Sequence, residues 1–318
     1  MISWYVLDVV DTLLFKGAEP VARGENHFAS SIFPPPVATI SGAVRTLYLK
    51  QNGIRINDYI ENRIDDKIVM DIGRAGEKPP FDILGPLFLK NGEIFAPAPY
   101  NWFEEVGGEF DRFSVRYKTK IIKSVLAESG LFKAKKKIYW VKRGKYDLKT
   151  LGGKWIRYRD LIRLHDLDDV EVFSPNYFFL EESRTGISLD LNRNVREGHL
   201  YSFNHVRLTK NTKLLFGVTK EISIHDKGVL KLGAEQRFVK YERTDNIEIE
   251  FGESGSEFLA LAPQECREEL MNLIIATGKI KYIGGWDLKK GFHKPVVGYY
   301  PAGTVFSKKA SSNLIKIN

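Results

Sequence analysis

The six histidines are the residues of this sequence best suited to move a proton or to bind a metal ion. They are scattered, without the HxxxH or HxH spacing that places two ligands on one element: His27, His165, His199, His205, His225 and His293. We therefore expect no metal site and no cofactor. A metal-free ribonuclease would need only a general base near an RNA 2′-hydroxyl. His27, in a loop after Arg23, is the candidate for that base, and the alternative is a surface residue or an RNA contact.

Carboxylates and thiols offer no arranged catalytic site. Asp65 with Asp66, and Asp168 with Asp169, are sequence neighbours. Such neighbours diverge by about 100° on a helix and face opposite sides of a strand, so neither pair is expected to form a two-metal centre. The single cysteine, Cys266, cannot form an internal disulfide or a thiolate cage, which favours a reducing compartment, the cytoplasm. No apolar run reaches the length of a membrane-spanning helix.

Positive charge is concentrated in residues 116–145. This segment contains eleven lysines and arginines and one acid, Glu128, whereas the whole chain has a net charge of +8. Rings are interleaved with the charges, as in surfaces that bind phosphates through cations and bases through aromatic side chains: Tyr117, Phe132, Tyr139 and Trp140. The lysines expected to contact phosphates are Lys133, Lys135, Lys136 and Lys137. The alternative is a solvated insertion whose rings only anchor it to the rest of the protein.

A second basic stretch, residues 284–303, is rich in glycine and is predicted to form a loop. Glycines let backbone N–H groups approach a phosphate, and lysines neutralise its charge. The candidate contacts are Gly284, Gly285, Lys289, Lys290, Gly291 and Lys294. The stretch contains neither GxxxxGK[ST] nor GxGxxG, so nucleotide hydrolysis is disfavoured. Its alternative interpretation is a turn-rich connection between two strands.

These residues need a scaffold, and the start of the chain predicts a strand followed by a helix. Residues 1–9 are rich in strand-forming side chains, and a triple proline ends at Pro36. Apolar residues at helical spacing then predict a helix over residues 37–53, in which Gly42 permits close backbone approach.

The next segments complete a pattern of strands and helices. Two apolar runs that flank Asn-Gly predict a tight hairpin over residues 83–97. Residues 154–164 indicate a second helix and residues 170–173 a last strand, with the basic segment inserted before that helix. This order is that of a ferredoxin-like βαββαβ unit.

The second half of the chain shows a comparable pattern. Residues 201–208 and 214–219 are expected to form paired strands, and residues 229–232 another strand. Proline at the first position, acidic residues in the first turns and a closing glycine predict a helix over residues 263–277. A strand is expected over residues 279–283.

The predicted fold class is therefore α+β, with two ferredoxin-like (RRM-like) βαββαβ domains that carry insertions. The boundary is placed near Ser174 and Pro175, which gives domains of residues 1–174 and 175–318. The first carries the basic segment and the second the glycine-rich stretch. No close sequence repeat relates the halves, so the pairing of domains rests on element order.

Three separated blocks of the sequence carry motifs in a common order. They are DTLLFKGAEP with SIFPPPVATISGAVRT, then SRTGISLDLNRNVREGHLY, and finally GWDLKKGFHKPVVGYYPAGTVF. In this order they resemble the third-subunit family of the Cmr complex, the type III-B CRISPR effector within the RAMP superfamily. The blocks span most of the chain, and three ordered matches are far more specific than one.

The sequence departs from that family at two places. Lys16 stands where the family often has arginine, so the positive charge is kept, but the planar guanidinium group with its paired N–H donors is lost. Residues 232–237 read LGAEQR instead of a commoner Gly-Gly-Glu-Gly-Arg pattern. Ala234 and Gln236 thereby remove two permissive glycines beside Arg237.

The resemblance implies a pair of ferredoxin-like domains that bind RNA without catalysis. The expected ligand is the 5′ handle of the CRISPR RNA, and the expected partners are the large palm-domain subunit and neighbouring RAMP backbone subunits. The residues it adds to the expected RNA contacts are Lys16, Arg45, Arg184, Arg193 and Arg237. Two alternatives stay open, a metal-independent RAMP endoribonuclease that cuts CRISPR repeat RNA and a structural adaptor whose basic segment meets an acidic protein.

Overall fold

The computed structural model describes residues 2–17, 28–29, 31–106, 114–127, 138–140, 147–166, 168–190, 192–245 and 247–317. Regular structure in these residues is mostly antiparallel β-strand, with a few helices. The predicted α+β class is confirmed at this level.

The helices are α1 Val37–Gln51, α2 Ile56–Ile60, α3 Asp66–Ile72, α4 Tyr158–Leu161 and α5 Glu268–Met271, with a 3-10 turn at Pro175–Tyr177. The strands up to residue 173 are β1 Ser3–Val9, β2 Thr12–Leu13, β3 Phe28–Ala29, β4 Ile83–Lys90, β5 Glu93–Pro97, β6 Trp102–Val106, β7 Arg116–Lys120, β8 Ile122–Lys123, β9 Val125–Ala127, β10 Ile138–Trp140, β11 Asp147–Thr150, β12 Trp155–Arg157 and β13 Asp169–Phe173. The later strands are β14 Phe179–Leu189, β15 Val195–Leu208, β16 Thr212–Val218, β17 Lys227–Lys231, β18 Phe238–Thr244, β19 Glu257–Ala260, β20 Gln264–Glu265, β21 Ile274–Ala276, β22 Lys281–Asp287, β23 Phe292–Tyr300, β24 Val305–Phe306 and β25 Leu314–Ile317.

The chain forms two compact units from interleaved segments. The first unit comprises residues 1–86, 179–247 and 282–298, and the second comprises residues 87–178, 248–281 and 299–318. One crossing, after Phe178, lies close to the boundary predicted near Ser174, whereas the other crossings have no counterpart in the sequence analysis. A division into domains of residues 1–174 and 175–318 stays a prediction.

The sheet of the first unit is built around β1. This strand pairs antiparallel with β16 on one side and with β18 on the other, and β17 extends the sheet beyond β18. Tyr5 of β1 stacks on Phe216 with ring centroids 5.5 Å apart, and Leu7 is fully buried. The predicted first strand and the predicted helix after the triple proline are confirmed, as β1 and α1.

Strands β14 and β15 form a long antiparallel hairpin, and β2 pairs with the other edge of β15. The predicted pairing of residues 201–208 with residues 214–219 is therefore wrong, although both are strands. Strand β16 pairs instead with β1, and this central place in the sheet buries it along nearly its whole length. Strand β15 pairs with β14 and β2.

The second unit packs around a group of aromatic rings. The hairpin of β4 and β5 is confirmed, with Asn91 and Gly92 at φ 52° and 80° in its turn. Phe88 stacks on Phe178 with ring centroids 4.4 Å apart, and Phe95 packs edge-on against Phe173 at 4.9 Å. The sheet continues from β5 through β12 and β13 to β7, so the predicted strand over residues 170–173 is confirmed.

Two predicted helices of this unit are wrong. Residues 154–164 form β12 and the four-residue α4, because Trp155 pairs with Pro97 of β5 and packs on the ring of Phe88 at 4.5 Å. Residues 263–277 form β20, the four-residue α5 and β21, because Ile274 and Ala276 pair with β24. In both places the apolar residues at helical spacing are divided between short strands and one four-residue helix.

Gly42 and Gly152 differ in the space available for a side chain. Gly42 lies on the exposed side of α1, and a Cβ added there would meet nothing within 4 Å, so the predicted close backbone approach is wrong. A Cβ added at Gly152 would overlap the ring of Tyr100 at Cδ1. This close approach explains why the turn before β12 requires glycine.

Substitutions at these glycines should therefore change stability in opposite directions. Gly42→Ala is expected to raise the free energy of unfolding by about 0.5–1 kcal/mol, because alanine loses less backbone entropy in a helix. Gly152→Ala should lower it by about 1–3 kcal/mol through overpacking against Tyr100. Denaturant unfolding followed by circular dichroism measures both, and equal effects of the two variants would contradict this difference in packing.

Candidate nucleic-acid interface

Three arginines from distant parts of the sequence meet at one carboxylate in the first unit. Asp11, in the turn between β1 and β2, accepts from Nη2 of Arg184 at 3.5 Å and Nη2 of Arg207 at 3.2 Å. Its other oxygen accepts from Nη1 of Arg237 at 2.9 Å. We call Arg184, Arg207 and Arg237 the arginine cluster. The resemblance singled out two members of this cluster, Arg184 and Arg237. Sequence reasoning missed the third, Arg207.

Two glutamates complete the charge balance of the arginine cluster. Glu182 accepts from Nε of Arg184 at 2.8 Å and from Nε of Arg207 at 2.7 Å, while Glu235 accepts from Arg237 at 2.8 Å. Hydrogen bonds from Arg207 and Arg184 lower the pKa of Glu182 to about 2. Desolvation alone would raise the pKa of Asp11, but the cations and the Thr12 N–H outweigh it, and the net shift is downward. The Asp11 and Glu182 carboxylates therefore stay ionised and hold the guanidinium groups in place.

A buried histidine supports the arginine cluster from β15. His205 is 1% exposed, and its Nδ1 lies 3.1 Å from Oγ1 of Thr12. Burial lowers the pKa of His205, Glu235 opposes this shift from 3.6 Å, and Arg184 and Arg237 add to the lowering. At neutral pH it is an uncharged packing partner of Thr12, the residue next to Asp11.

The turn before β18 lies against the strand segment that leads to Lys16. Ala234 N donates to Leu14 O at 2.8 Å, and a Cβ on Gly233 would lie 2.6 Å from that oxygen. Glu235 and Gln236 have φ values of 55° and 53°, the left-handed region that favours glycine. Gln236 therefore occupies a strained position where the family pattern offers glycine. Lys16 itself pairs with Ser31 in an isolated bridge.

Arg45 is engaged within the protein. Its Nη1 donates to Glu77 O at 3.1 Å, and its Nη2 donates to Arg74 O and to the Tyr59 hydroxyl. The guanidinium carbon lies 5.4 Å from the centre of the Tyr59 ring. These contacts fix the loop after α3, so the geometry gives Arg45 a positioning role.

The glycine-rich stretch is a β-hairpin, so its prediction as a loop is wrong. Strands β22 and β23 pair, and Gly284 and Gly285 lie within β22. The turn between them is fixed by Asp287, whose Oδ1 accepts from the N–H groups of Lys289 at 3.0 Å and Lys290 at 3.1 Å. The N–H of Lys290, with that of Lys289, lowers the pKa of Asp287 against its desolvation.

One exposed lysine of this hairpin, Lys289, lies near the loop that Arg45 holds. A Cβ on Gly76 would lie 3.7 Å from Cδ of Lys289, and a Cβ on Gly285 would lie 3.6 Å from Cδ of Lys294. Gly291 closes the turn at φ 61° with its N–H donating to Asp287 O at 2.9 Å. Arg45 and Lys289 thus approach the same loop, residues 74–77.

The remaining predicted contacts lie elsewhere. Arg193 is exposed at φ 64° in the turn of the β14–β15 hairpin, where its N–H donates to Asp190 O at 3.1 Å. Lys133, Lys135, Lys136 and Lys137, and the candidate base His27, lie outside the described residues. Within the described ranges no group of His, Cys, Asp and Glu could hold a metal ion. Helices in that part of the chain are all too short or too polar to cross a membrane.

Comparisons with known proteins agree along almost the whole chain. A family model described as CRISPR-associated protein (Cas_Cmr3) matches residues 5–314. A chain of a type III-B Cmr-beta complex bound to cognate target RNA and AMPPnP has 16% sequence identity and a TM-score of 0.57, covering 95% of this chain and 85% of that one. A chain of the Cmr-beta complex bound to cognate target RNA has 15% identity and a TM-score of 0.55, covering 95% and 86%. These two similarities are of fold. No curated protein sequence matches significantly.

Proposed function

The chain belongs to the Cas_Cmr3 family of CRISPR-associated proteins, and from that premise we propose that it is a non-catalytic RNA-binding and assembly subunit of a type III-B Cmr complex. Its ligand is the 5′ handle of the CRISPR RNA. Its partners are the large palm-domain subunit and the neighbouring RAMP backbone subunits. The proposal includes a ferredoxin-like (RRM-like) fold for each of two domains, residues 1–174 and 175–318.

The arginine cluster is the observation that carries this proposal. Its members come from β14, from β15 and from the residue before β18, yet their guanidinium groups converge within hydrogen-bond reach of Asp11. All three side chains are partly exposed. Arginine forks bind carboxylates and phosphates with the same bidentate geometry. RNA phosphates can therefore exchange with the carboxylates at guanidinium groups that are already positioned.

Other basic residues extend this surface in our proposal. Lys16 follows the segment that the Gly233–Ala234 turn contacts, and Arg193 presents a charge at the turn of the β14–β15 hairpin. The lysines of the β22–β23 hairpin contact phosphates, while Arg45 acts through the loop it fixes. Lys133, Lys135, Lys136 and Lys137 add sequence-independent phosphate contacts.

Reconstitution tests the proposal. The full-length chain, the large palm-domain subunit and a guide RNA with an intact 5′ handle should elute together in size exclusion at moderate salt, with the RNA uncut. A guide RNA of equal length whose handle sequence is scrambled is the matched control, and it should retain less of the chain. Elution of the chain apart from both partners would contradict the assembly role. Cleavage of the RNA in chelator would favour the endoribonuclease instead.

A further inference from the structure

The β22–β23 hairpin exposes aromatic rings that the fold does not use. Trp286 is 57% exposed, whereas the other tryptophans whose side chains the structure describes, Trp4, Trp102 and Trp155, are all buried. Phe292 and Tyr282 are exposed on the same hairpin. Exposure of three large rings on one hairpin is costly in water, which indicates a surface that binds a ligand.

The Trp286 ring is supported from one side. The ring of His293 meets it edge-on, with centroids 5.2 Å apart and planes at 89°, and Phe292 packs against His293 at 5.7 Å. Side chains alternate between the faces of a strand, so Gly284 shares a face of β22 with Trp286 and leaves bare backbone beside it. A flat ligand can therefore approach the tryptophan over this glycine.

The charges around these rings select the class of ligand. Lys289, Lys290 and Lys294 are all exposed, and the nearby acid Asp287 is engaged by backbone N–H groups of the turn. Lysine is depleted in protein–protein interfaces, whereas rings interleaved with cations are typical of surfaces that bind single-stranded nucleic acid. The composition thus favours RNA over a protein partner.

We propose that Trp286, braced by His293, is a stacking platform for an unpaired base of single-stranded RNA. Lys289, Lys290 and Lys294 neutralise the phosphates next to that base. The proposal rests on the proposed function for its class of ligand. It adds a base contact by an aromatic side chain to the phosphate contacts proposed for the arginine cluster.

Fluorescence and affinity measurements on the full-length chain test the platform. Titration with a short oligoadenylate at low salt should quench tryptophan emission in the wild type, and Trp286→Phe should reduce that quenching. Trp286→Ala should weaken binding by about tenfold, and Trp286→Phe, which keeps a ring, by much less. The salt dependence should stay unchanged, because stacking releases no counterions. An abasic strand of the same length should bind the wild type and Trp286→Ala equally.

Ile56→Ala is the control. Ile56 is 41% exposed in the same unit but outside both the hairpin and the arginine cluster, so its loss should leave RNA affinity unchanged. If the chain binds oligoadenylate and Trp286→Ala binds it as tightly as the wild type, the platform is wrong and the proposed function stands. If the wild type binds no RNA at all, both are wrong. If Trp286→Ala binds RNA normally but no longer co-elutes with the palm-domain subunit, the rings form a protein-docking surface instead.

Discussion

Replacing Arg184 and Arg207 together by glutamine should weaken binding of handle RNA by about tenfold to a hundredfold, because each loses charge-assisted hydrogen bonds to phosphate. Both residues donate to Asp11 and Glu182, so their guanidinium groups are already oriented to bind an anion. The slope of log affinity against log salt should fall by about 0.7 for each phosphate that is no longer neutralised. Fluorescence anisotropy with labelled handle RNA over a range of salt concentrations measures both quantities.

The first unit offers a control with the same architecture. Arg55 and Arg63 share the carboxylate of Asp58 at 2.7 and 3.0 Å, as the arginine cluster shares that of Asp11. Glutamine at both positions removes the same charge and the same kind of ion pair, yet should leave handle affinity nearly unchanged. Equal losses in the two double variants would reduce the effect to net charge. An unaltered affinity in the Arg184 and Arg207 double variant would remove the cluster from the RNA interface.

Lys154→Met is expected to lower the free energy of unfolding by about 3–5 kcal/mol, the range for breaking a buried ion pair from one side. Lys154 Nζ lies 2.6 Å from Oε1 of Glu104, and the two side chains are 17% and 9% exposed. The Tyr117 hydroxyl donates to the same oxygen at 2.9 Å. Without the lysine, the buried Glu104 carboxylate loses its cation and accepts a hydrogen bond from the neutral Tyr117 hydroxyl. Thermal and denaturant unfolding measure the loss.

A second substitution separates charge from packing. Glu104→Gln in the Lys154→Met background should recover much of the loss, because it removes the unpaired charge and keeps the shape. The surface pair of Lys78 and Asp82, 3.2 Å apart with side chains 81% and 41% exposed, is the comparison. Lys78→Met should cost less than about 1 kcal/mol. A loss of similar size at both lysines would show that burial does not set the cost.

The elements that could be predicted correctly from the sequence are those with local signals. The Asn91–Gly92 turn needs two left-handed residues, and the helix α1 follows a proline run that cannot itself be helical. The two helices that were predicted wrongly lie at residues 154–164 and 263–277, where apolar residues at helical spacing are divided between short strands and a four-residue helix. Short apolar runs do not distinguish the two states, and pairing with distant strands decides between them.

The candidate site was only partly accessible from the sequence. Arg184 and Arg237 could be named from motif order, but their convergence on Asp11 depends on strand pairing between segments far apart in the chain. Arg207 carried no motif. Arg207 could have been identified only from the strand register, which places it opposite Thr12, the residue after Asp11. Arg45 was named as an RNA contact, whereas its partners in the fold include backbone carbonyl groups that no sequence pattern reveals.

The position of β1 in the middle of its sheet has a consequence for synthesis on the ribosome. Tyr5 pairs with Phe216 and Leu7 with Tyr241, so this apolar strand is synthesised long before either of its neighbours. At about 5–20 residues per second, β1 waits for roughly ten seconds or longer without either neighbour. During that interval the apolar side chains of β1 can aggregate with other chains. A chaperone that binds nascent chains would therefore have to cover β1 for longer than it covers the strands that pair with it.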